Sequence, residues 1–204
     1  MMDNYPEHLA PELDKNSRNP ITPFDDWWPE VRTEFSNIPE EIAREWLYRH
    51  WGMSPYSWIS SSSYEFDIEK YPSSQLSLLL NRCYNFEAGN DKIKEKGQYL
   101  CDENPNWKWR PIEPIWLVKF MNENGAFPSP IVVLDNKDNH LAVDSEITPE
   151  AYGIPKGLVL IEGHTRHEIG TYLESVGRLA EFVEVCMLRK KLATDIASDV
   201  GSSQ

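Results

Sequence analysis

The chain has 204 residues and a formal net charge of −13, from 20 Lys and Arg against 33 Asp and Glu. Proteins that bind nucleic acid displace counterions with a cationic surface, so this balance argues against direct DNA binding. It also argues against attraction to an anionic membrane surface. Hydrophobic residues make up 40% and aromatic residues 12% of the chain, which indicates a packed globular core.

The cellular compartment can be predicted from what the sequence lacks. No run approaches the ~20 apolar residues of a membrane span, and residues 1–19 lack the apolar core of a secretory signal peptide. The cysteines, Cys83, Cys101 and Cys186, are widely separated and odd in number, which favours reduced thiols over a disulfide framework. We therefore expect a cytoplasmic protein with no membrane partner.

The domain organisation follows from composition. Residues 1–23 carry prolines among charged residues and predict a flexible arm. Residues 24–109 predict a helical, Trp-rich N-terminal extension, residues 110–190 a second domain, and residues 191–204 a polar tail. The pair Trp27–Trp28 is interpreted either as a staple that fixes the arm on the core or as an anchor for a partner. The staple is favoured because tryptophan is highly buried on average.

Periodicity predicts several elements along the chain. Residues 64–69 alternate apolar and acidic side chains, which predicts a half-exposed strand. Apolar residues at helical spacing predict a helix over residues 75–85. A further helix is predicted over 114–125, ended by a glycine, and a strand over 131–134. Residues 140–143 are expected to return as a second strand.

The most informative stretch runs from residue 157 to residue 177. Residues 158–162 are an apolar run closing on a carboxylate, which predicts a buried strand, and Gly163 permits a turn with positive φ. Apolar residues then recur at i, i+3, i+4 and i+7, which predicts a helix. The first N–H groups of a helix have no partner within it and the dipole is positive there, so a phosphate fits. Thr165 adds a hydroxyl and Arg166 a planar cationic fork.

The motif Glu162-Gly163-His164-Thr165-Arg166, following an apolar strand, resembles the second motif of the ParB/sulfiredoxin superfamily. Residues 117–125 followed by residues 130–134 are similar to that family's opening helix, glycine and strand. The resemblance covers about residues 110–190. It implies an α+β protein in which a ParB/sulfiredoxin-like nucleotide-binding domain carries the helical, Trp-rich N-terminal extension.

The superfamily has at least three chemistries, which the motif residues separate. ParB partition proteins bind CTP through paired arginines, whereas Thr165 precedes the single Arg166 here. Sulfiredoxins carry an attacking cysteine in Gly-Cys-His-Arg, and the matching position here is His164. The free-serine kinase branch, with Asp-Gly-His-Thr-Arg, is the most similar, and Glu162 stands in place of its aspartate.

The resemblance implies a nucleoside di- or triphosphate and Mg²⁺ as cofactors. The residues that would hold the phosphates are Gly163, His164, Thr165 and Arg166. Glu162 or Glu113 would accept the proton of a substrate hydroxyl or hold Mg²⁺. His164 has an unperturbed pKa near neutrality and could serve as acid, base or phosphate donor.

Two functions are therefore expected as alternatives. The first is a nucleotide-binding protein that acts as a nucleotide-dependent phosphotransferase or nucleotide hydrolase. The second is a non-enzymatic acidic interaction protein that keeps a ParB-like fold and binds a basic protein partner. A purely structural interpretation of the motif also stands, in which Gly163 only turns the chain and Arg166 pairs with Glu168 or Glu174.

Overall fold

The computed structural model describes residues 6–51, 54, 63–102, 112–143 and 154–191, with the backbone alone at 112–115 and 142–143. The chain divides into two compact units. The first unit comprises Met1–Phe66, His140–Ile154 and Leu188–Gln204, and the second comprises Asp67–Asn139 and Pro155–Met187. The boundary predicted between residues 109 and 110 and nearly all of the predicted tail lie outside the described residues.

The described helices are α1 (Phe24–Val31), α2 (Glu40–Ile42), α3 (Asp91–Cys101), α4 (Ile112–Asn124), α5 (His140–Val143) and α6 (His164–Ser175). The described strands are β1 (Tyr64–Pro72), β2 (Leu80–Asn81), β3 (Ile131–Asn136), β4 (Gly157–Glu162) and β5 (Phe182–Lys190). A π-helical segment, Ala43–Tyr48, continues α2, and 3₁₀ turns span Glu7–Leu9, Ser73–Leu78 and Arg82–Tyr84.

The strands form one mixed sheet of five strands in the order β1-β5-β3-β4-β2. β3 and β4 are antiparallel, whereas β2 runs parallel to β4. Helices and a mixed sheet together agree with the predicted α+β class at a coarse level. None of the helices in the described ranges is long and apolar enough to cross a membrane.

Aromatic side chains form the core of the first unit. Trp27 and Trp28 are 4% and 8% exposed. The Trp27 ring lies 5.4 Å from that of Tyr48 and 5.7 Å from that of Trp51, and Phe24 stacks on Trp28 at 5.7 Å. Such pairs stabilise a core beyond the area they bury. The interpretation of the paired tryptophans as core residues is confirmed.

The described part of the N-terminal arm makes hydrogen bonds within the first unit. The indole N–H of Trp27 donates to the Leu9 carbonyl at 2.8 Å, and the Tyr48 hydroxyl donates to the Thr22 carbonyl at 2.5 Å. Leu13 and Pro20 form an isolated antiparallel bridge. The buried Trp27 and the half-buried Tyr48 therefore use their polar atoms to hold this segment.

The core of the second unit consists of two hydrophobic clusters. One cluster fills the space along the sheet, with Leu76, Leu79, Ile131, Val133, Leu160, Val183, Val185 and Met187. The other joins α3, α4 and α6, with Leu100, Val118, Met121, Ile169 and Leu173. The strands predicted over 64–69, 131–134 and 158–162, the helix predicted over 114–125 and the helix predicted after Gly163 are confirmed to within a few residues.

Two predicted elements are wrong. Residues 75–85 are not a helix, because Leu80 and Asn81 pair in parallel with Val159 and Leu160 of β4. That pairing needs extended backbone and overrides a helical spacing of leucines. Residues 140–143 are the short helix α5 rather than a strand, because β4 takes the antiparallel position beside β3.

Close contact between α3 and α6 depends on Gly97. A Cβ atom there would overlap the backbone carbonyl of Glu168 and lie 2.9 Å from Cβ of Tyr172. We expect Gly97→Ala to destabilise the protein by ~1–3 kcal/mol, the typical cost of overpacking. This outweighs the ~1 kcal/mol by which alanine favours a helix over glycine. Urea denaturation followed by circular dichroism measures the change.

The matched control for this substitution is Gln98→Ala at the exposed neighbouring position of α3. It should change the free energy of unfolding by no more than about 0.5 kcal/mol, as surface substitutions usually do. A Gly97→Ala protein at least as stable as the wild type would contradict the close approach of the two helices.

Candidate functional site

A single glycine joins β4 to α6. Gly163 has φ 92° and ψ 28°, in the left-handed region, and is the N-cap of α6. A Cβ atom at this position would lie 2.5 Å from Cγ2 of Ile131. Only glycine fits both constraints, since other residues rarely adopt positive φ and none lacks the Cβ atom. The predicted strand, glycine turn and helix are confirmed.

The strand before the turn contains a β-bulge. Val132 pairs with Glu162, whereas Val133 pairs with Leu160, so Ile161 is an extra residue on β4. A bulge bends its strand and changes the direction of the side chain that follows, and bulges are common beside active sites. Here Ile161 is buried, while the side chain of Glu162 is 20% exposed at the end of the strand.

Arg166 lies beneath the turn and is only 6% exposed. Its Nη1 donates to the backbone carbonyl of Ser129 at 3.2 Å and also to the Ser129 hydroxyl. Its Nη2 lies 3.7 Å from Oε1 of Glu162. Burial of a guanidinium is tolerated when it is hydrogen-bonded and paired with an opposite charge. The structure therefore pairs Arg166 with Glu162.

Glu168 is occupied by a different partner. The Tyr84 hydroxyl donates to Oε1 of Glu168 at 2.5 Å. Burial, together with this carboxylate, raises the pKa of Tyr84, so the phenol stays protonated and remains a donor. Partial desolvation of the thiol and the same carboxylate also raise the pKa of Cys83, whose side chain is otherwise exposed, so Cys83 is a poor nucleophile at neutral pH.

The other predicted site residues lie at or near the turn, with one exception. His164 and Thr165 are half-buried on the first turn of α6. Glu113 belongs to the first turn of α4, and its side chain lies outside the described residues. Within the described ranges, no group of three His, Cys, Asp or Glu side chains is arranged to hold a metal ion.

His167 follows Arg166 but is fully buried, with 0% exposure. Its Nε2 lies 2.8 Å from the Leu76 carbonyl, and its Nδ1 lies 3.4 Å from Nδ2 of Asn81. Burial lowers the pKa of His167 to about 4, so the ring is neutral at pH 7. A neutral ring can donate from Nε2 to Leu76 and accept at Nδ1 from Asn81. His167 therefore holds β2 and its preceding turn on α6.

Sequence reasoning missed Ser129, Tyr84 and Asn81. Ser129 stands between two prolines ahead of β3, and Tyr84 follows β2 within a segment that had been predicted as a helix. Neither position carries a motif.

Comparison of the chain with protein-family models, with curated proteins and with solved structures found no match.

Proposed function

We propose that this chain is a cytoplasmic nucleotide-binding protein with a ParB/sulfiredoxin-like domain over about residues 110–190, which holds phosphates at the turn of residues 163–166. One observation carries the proposal: a half-buried first helical turn follows a left-handed glycine, and a buried guanidinium lies beneath it. The donors at a helix N-terminus and the macrodipole both favour an anion there.

The charges at the turn support an anionic ligand. The distance of 3.7 Å between Arg166 and Glu162 is longer than the ~2.7–2.9 Å of a strong charge-assisted hydrogen bond. At this distance the contact is an ion pair rather than a short charge-assisted hydrogen bond. The second set of contacts to Arg166 comes from Ser129, which is uncharged. The N–H groups of the first turn of α6 would add the positive potential that a phosphate needs.

The chemistry that suits this arrangement is phosphoryl transfer to a hydroxyl or to water. Such reactions depend mainly on alignment and on charge stabilisation. Arg166 and the N–H groups of α6 would stabilise the phosphoryl oxygens, and the Thr165 hydroxyl would donate to one of them. Glu162 offers a partly exposed carboxylate that could accept the proton of the attacking hydroxyl.

Mg²⁺ fits the same carboxylate. This ion usually takes one or two carboxylates together with substrate phosphates, and Glu162 supplies one oxygen ligand of that kind beside the turn. When bound, the ion would neutralise charge on the phosphates. The roles of His164 and Glu113 as acid, base or ligand belong to the same proposal.

A thermal-shift screen tests the binding step. The wild-type chain is heated with ATP, ADP, CTP or GTP, each with and without Mg²⁺, and hits are measured by calorimetry. A ligand at 100 times its Kd stabilises the folded state by about 2.7 kcal/mol. We expect at least one nucleotide to raise the melting temperature.

Substitution of Glu162 separates binding from turnover. Glu162→Gln keeps the size and removes the negative charge, so nucleotide affinity should hold or rise a few-fold. Any transfer or hydrolysis should fall by roughly 100-fold or more, the usual contribution of a general base. The control is Glu174→Gln at the far end of α6, which should change neither quantity. Unchanged turnover in Glu162→Gln would remove Glu162 from the reaction.

The net charge of −13 favours a second candidate, an acidic interaction protein that binds a basic protein partner. This candidate requires no nucleotide. It becomes the better explanation if none of the four nucleotides binds the wild type at millimolar concentration by calorimetry.

A further inference from the structure

The loop between α4 and β3 is fixed by two contacts before it reaches the turn, one to the segment after α6 and one to α6 itself. The Gly125 carbonyl accepts a hydrogen bond from the Ala180 N–H at 2.8 Å. Further along, Phe127 packs so closely on Gly170 of α6 that a Cβ atom there would lie 2.7 Å from the ring. The residues that follow Phe127 therefore have little freedom in where they meet the N-terminal end of α6.

Ser129 is the residue of this loop that contacts Arg166. Both its backbone carbonyl and its hydroxyl accept hydrogen bonds from the same Nη1 atom. Pro130 follows directly, and a residue before proline is restricted to extended backbone. Ser129 thus places two acceptor oxygens beside Nη1 of the guanidinium, and its backbone is conformationally restricted.

The guanidinium is held between an uncharged and a charged acceptor. Nη1 bonds to Ser129, whereas Nη2 faces Glu162 at 3.7 Å. The stem of Arg166 lies against the turn, with Nε 3.2 Å from the position that a Cβ atom of Gly163 would occupy. Loss of the Ser129 hydroxyl would leave Nη1 with the backbone carbonyl alone as its acceptor on Ser129, so the guanidinium would be held less firmly in this position.

We propose that Ser129 is a positioning residue for the phosphate site: its two uncharged oxygens hold the Arg166 guanidinium beneath the Gly163 turn. This inference rests on the proposed nucleotide binding. Ser129 itself touches no phosphate. It acts through Arg166, so its hydroxyl matters and its side-chain size does not.

The test compares Ser129→Ala and Ser129→Thr with the wild type in the full chain. Calorimetry measures the affinity for whichever of ATP, ADP, CTP and GTP binds the wild type most tightly. We expect Ser129→Ala to weaken binding by about tenfold or more, since a hydrogen bond to a charged group contributes a factor of that order. Ser129→Thr retains the hydroxyl and should bind as the wild type does. Ser175→Ala, at the opposite end of α6, is the control.

A second measurement follows Arg166 in the free protein. Hydrogen exchange of the Arg166 side-chain Nε–H, detected by NMR, should be slow in the wild type and in Ser129→Thr, and faster in Ser129→Ala. Equal affinities of Ser129→Ala and the wild type would overturn the inference, as would unchanged exchange. A wild type that binds no nucleotide would overturn the phosphate site itself. The exchange measurement would then test only whether Ser129 holds Arg166.

Discussion

Replacement of Arg166 by alanine should weaken nucleotide binding by roughly 10- to 200-fold, because a charge-assisted contact contributes ~1.5–3 kcal/mol and 1.4 kcal/mol is tenfold. The same substitution should lower the free energy of unfolding by about 3 kcal/mol. Arg166 is 6% exposed, and its removal leaves the oxygens of Ser129 and Glu162 without this donor. Removal of one partner of a buried ion pair lowers stability because the other charge stays buried without its partner.

The two effects of this change can be separated with Arg166→Gln. Glutamine keeps much of the length and one pair of N–H donors but carries no charge. It should recover part of the stability while affinity stays low, because the phosphate loses its cation in both variants. Calorimetry and urea denaturation on the same samples give both quantities. A folded Arg166→Gln protein that binds nucleotide as tightly as the wild type would show that Arg166 serves the fold alone.

The strand, glycine turn and helix around Gly163 were predictable because they depend on neighbouring residues. The apolar run of β4, the glycine and the helical spacing of Ile169 and Leu173 are all patterns among residues close together in the sequence. The bulge at Ile161 was not predictable. It arises from the register of β4 against β3, which no local pattern encodes.

The error over residues 75–85 has the same origin. Leu76, Leu79 and Leu80 recur as a helix face would, and local preference alone could not separate the alternatives. Tertiary contacts decided them, since Leu80 pairs with Val159 and the Leu76 carbonyl lies 2.8 Å from the ring of His167. Local propensity is a weak guide wherever such pairing competes with it.

Only part of the candidate site could be predicted, because some of its contacts join residues that are distant in the sequence. Residues of the turn are contiguous in sequence, so the motif could name them. The partners that orient them are distant: Ser129 is 37 residues from Arg166, and Tyr84 is 84 residues from Glu168. Burial of Arg166 was also unforeseen, because an arginine on a first helical turn is usually exposed. The structure thus adds the groups that hold the turn rather than those that form it.

Acidification should destabilise the protein through His167. Its folded-state pKa is lowered to about 4 from the ordinary value of 6.5, because burial disfavours the charged ring. Between these two pH values the unfolded chain binds more protons than the folded chain, so stability rises with pH in this window. The contribution of His167 is complete above pH 6.5 and is lost progressively as the pH falls toward 4.

The expected size of this loss is about 3 kcal/mol, since one pKa unit corresponds to 1.36 kcal/mol. Carboxylates also titrate toward the lower end of the window, so the measurement is a difference between the wild type and His167→Gln. Glutamine can place an N–H donor where Nε2 meets the Leu76 carbonyl, and it does not titrate. Urea denaturation of both proteins at pH 7, 6 and 5 should show a steeper loss for the wild type. If the wild type and His167→Gln lost stability in parallel as the pH falls, the prediction would be contradicted. The pKa of His167 in the folded protein would then be near 6.5, and NMR titration of the ring would show this directly.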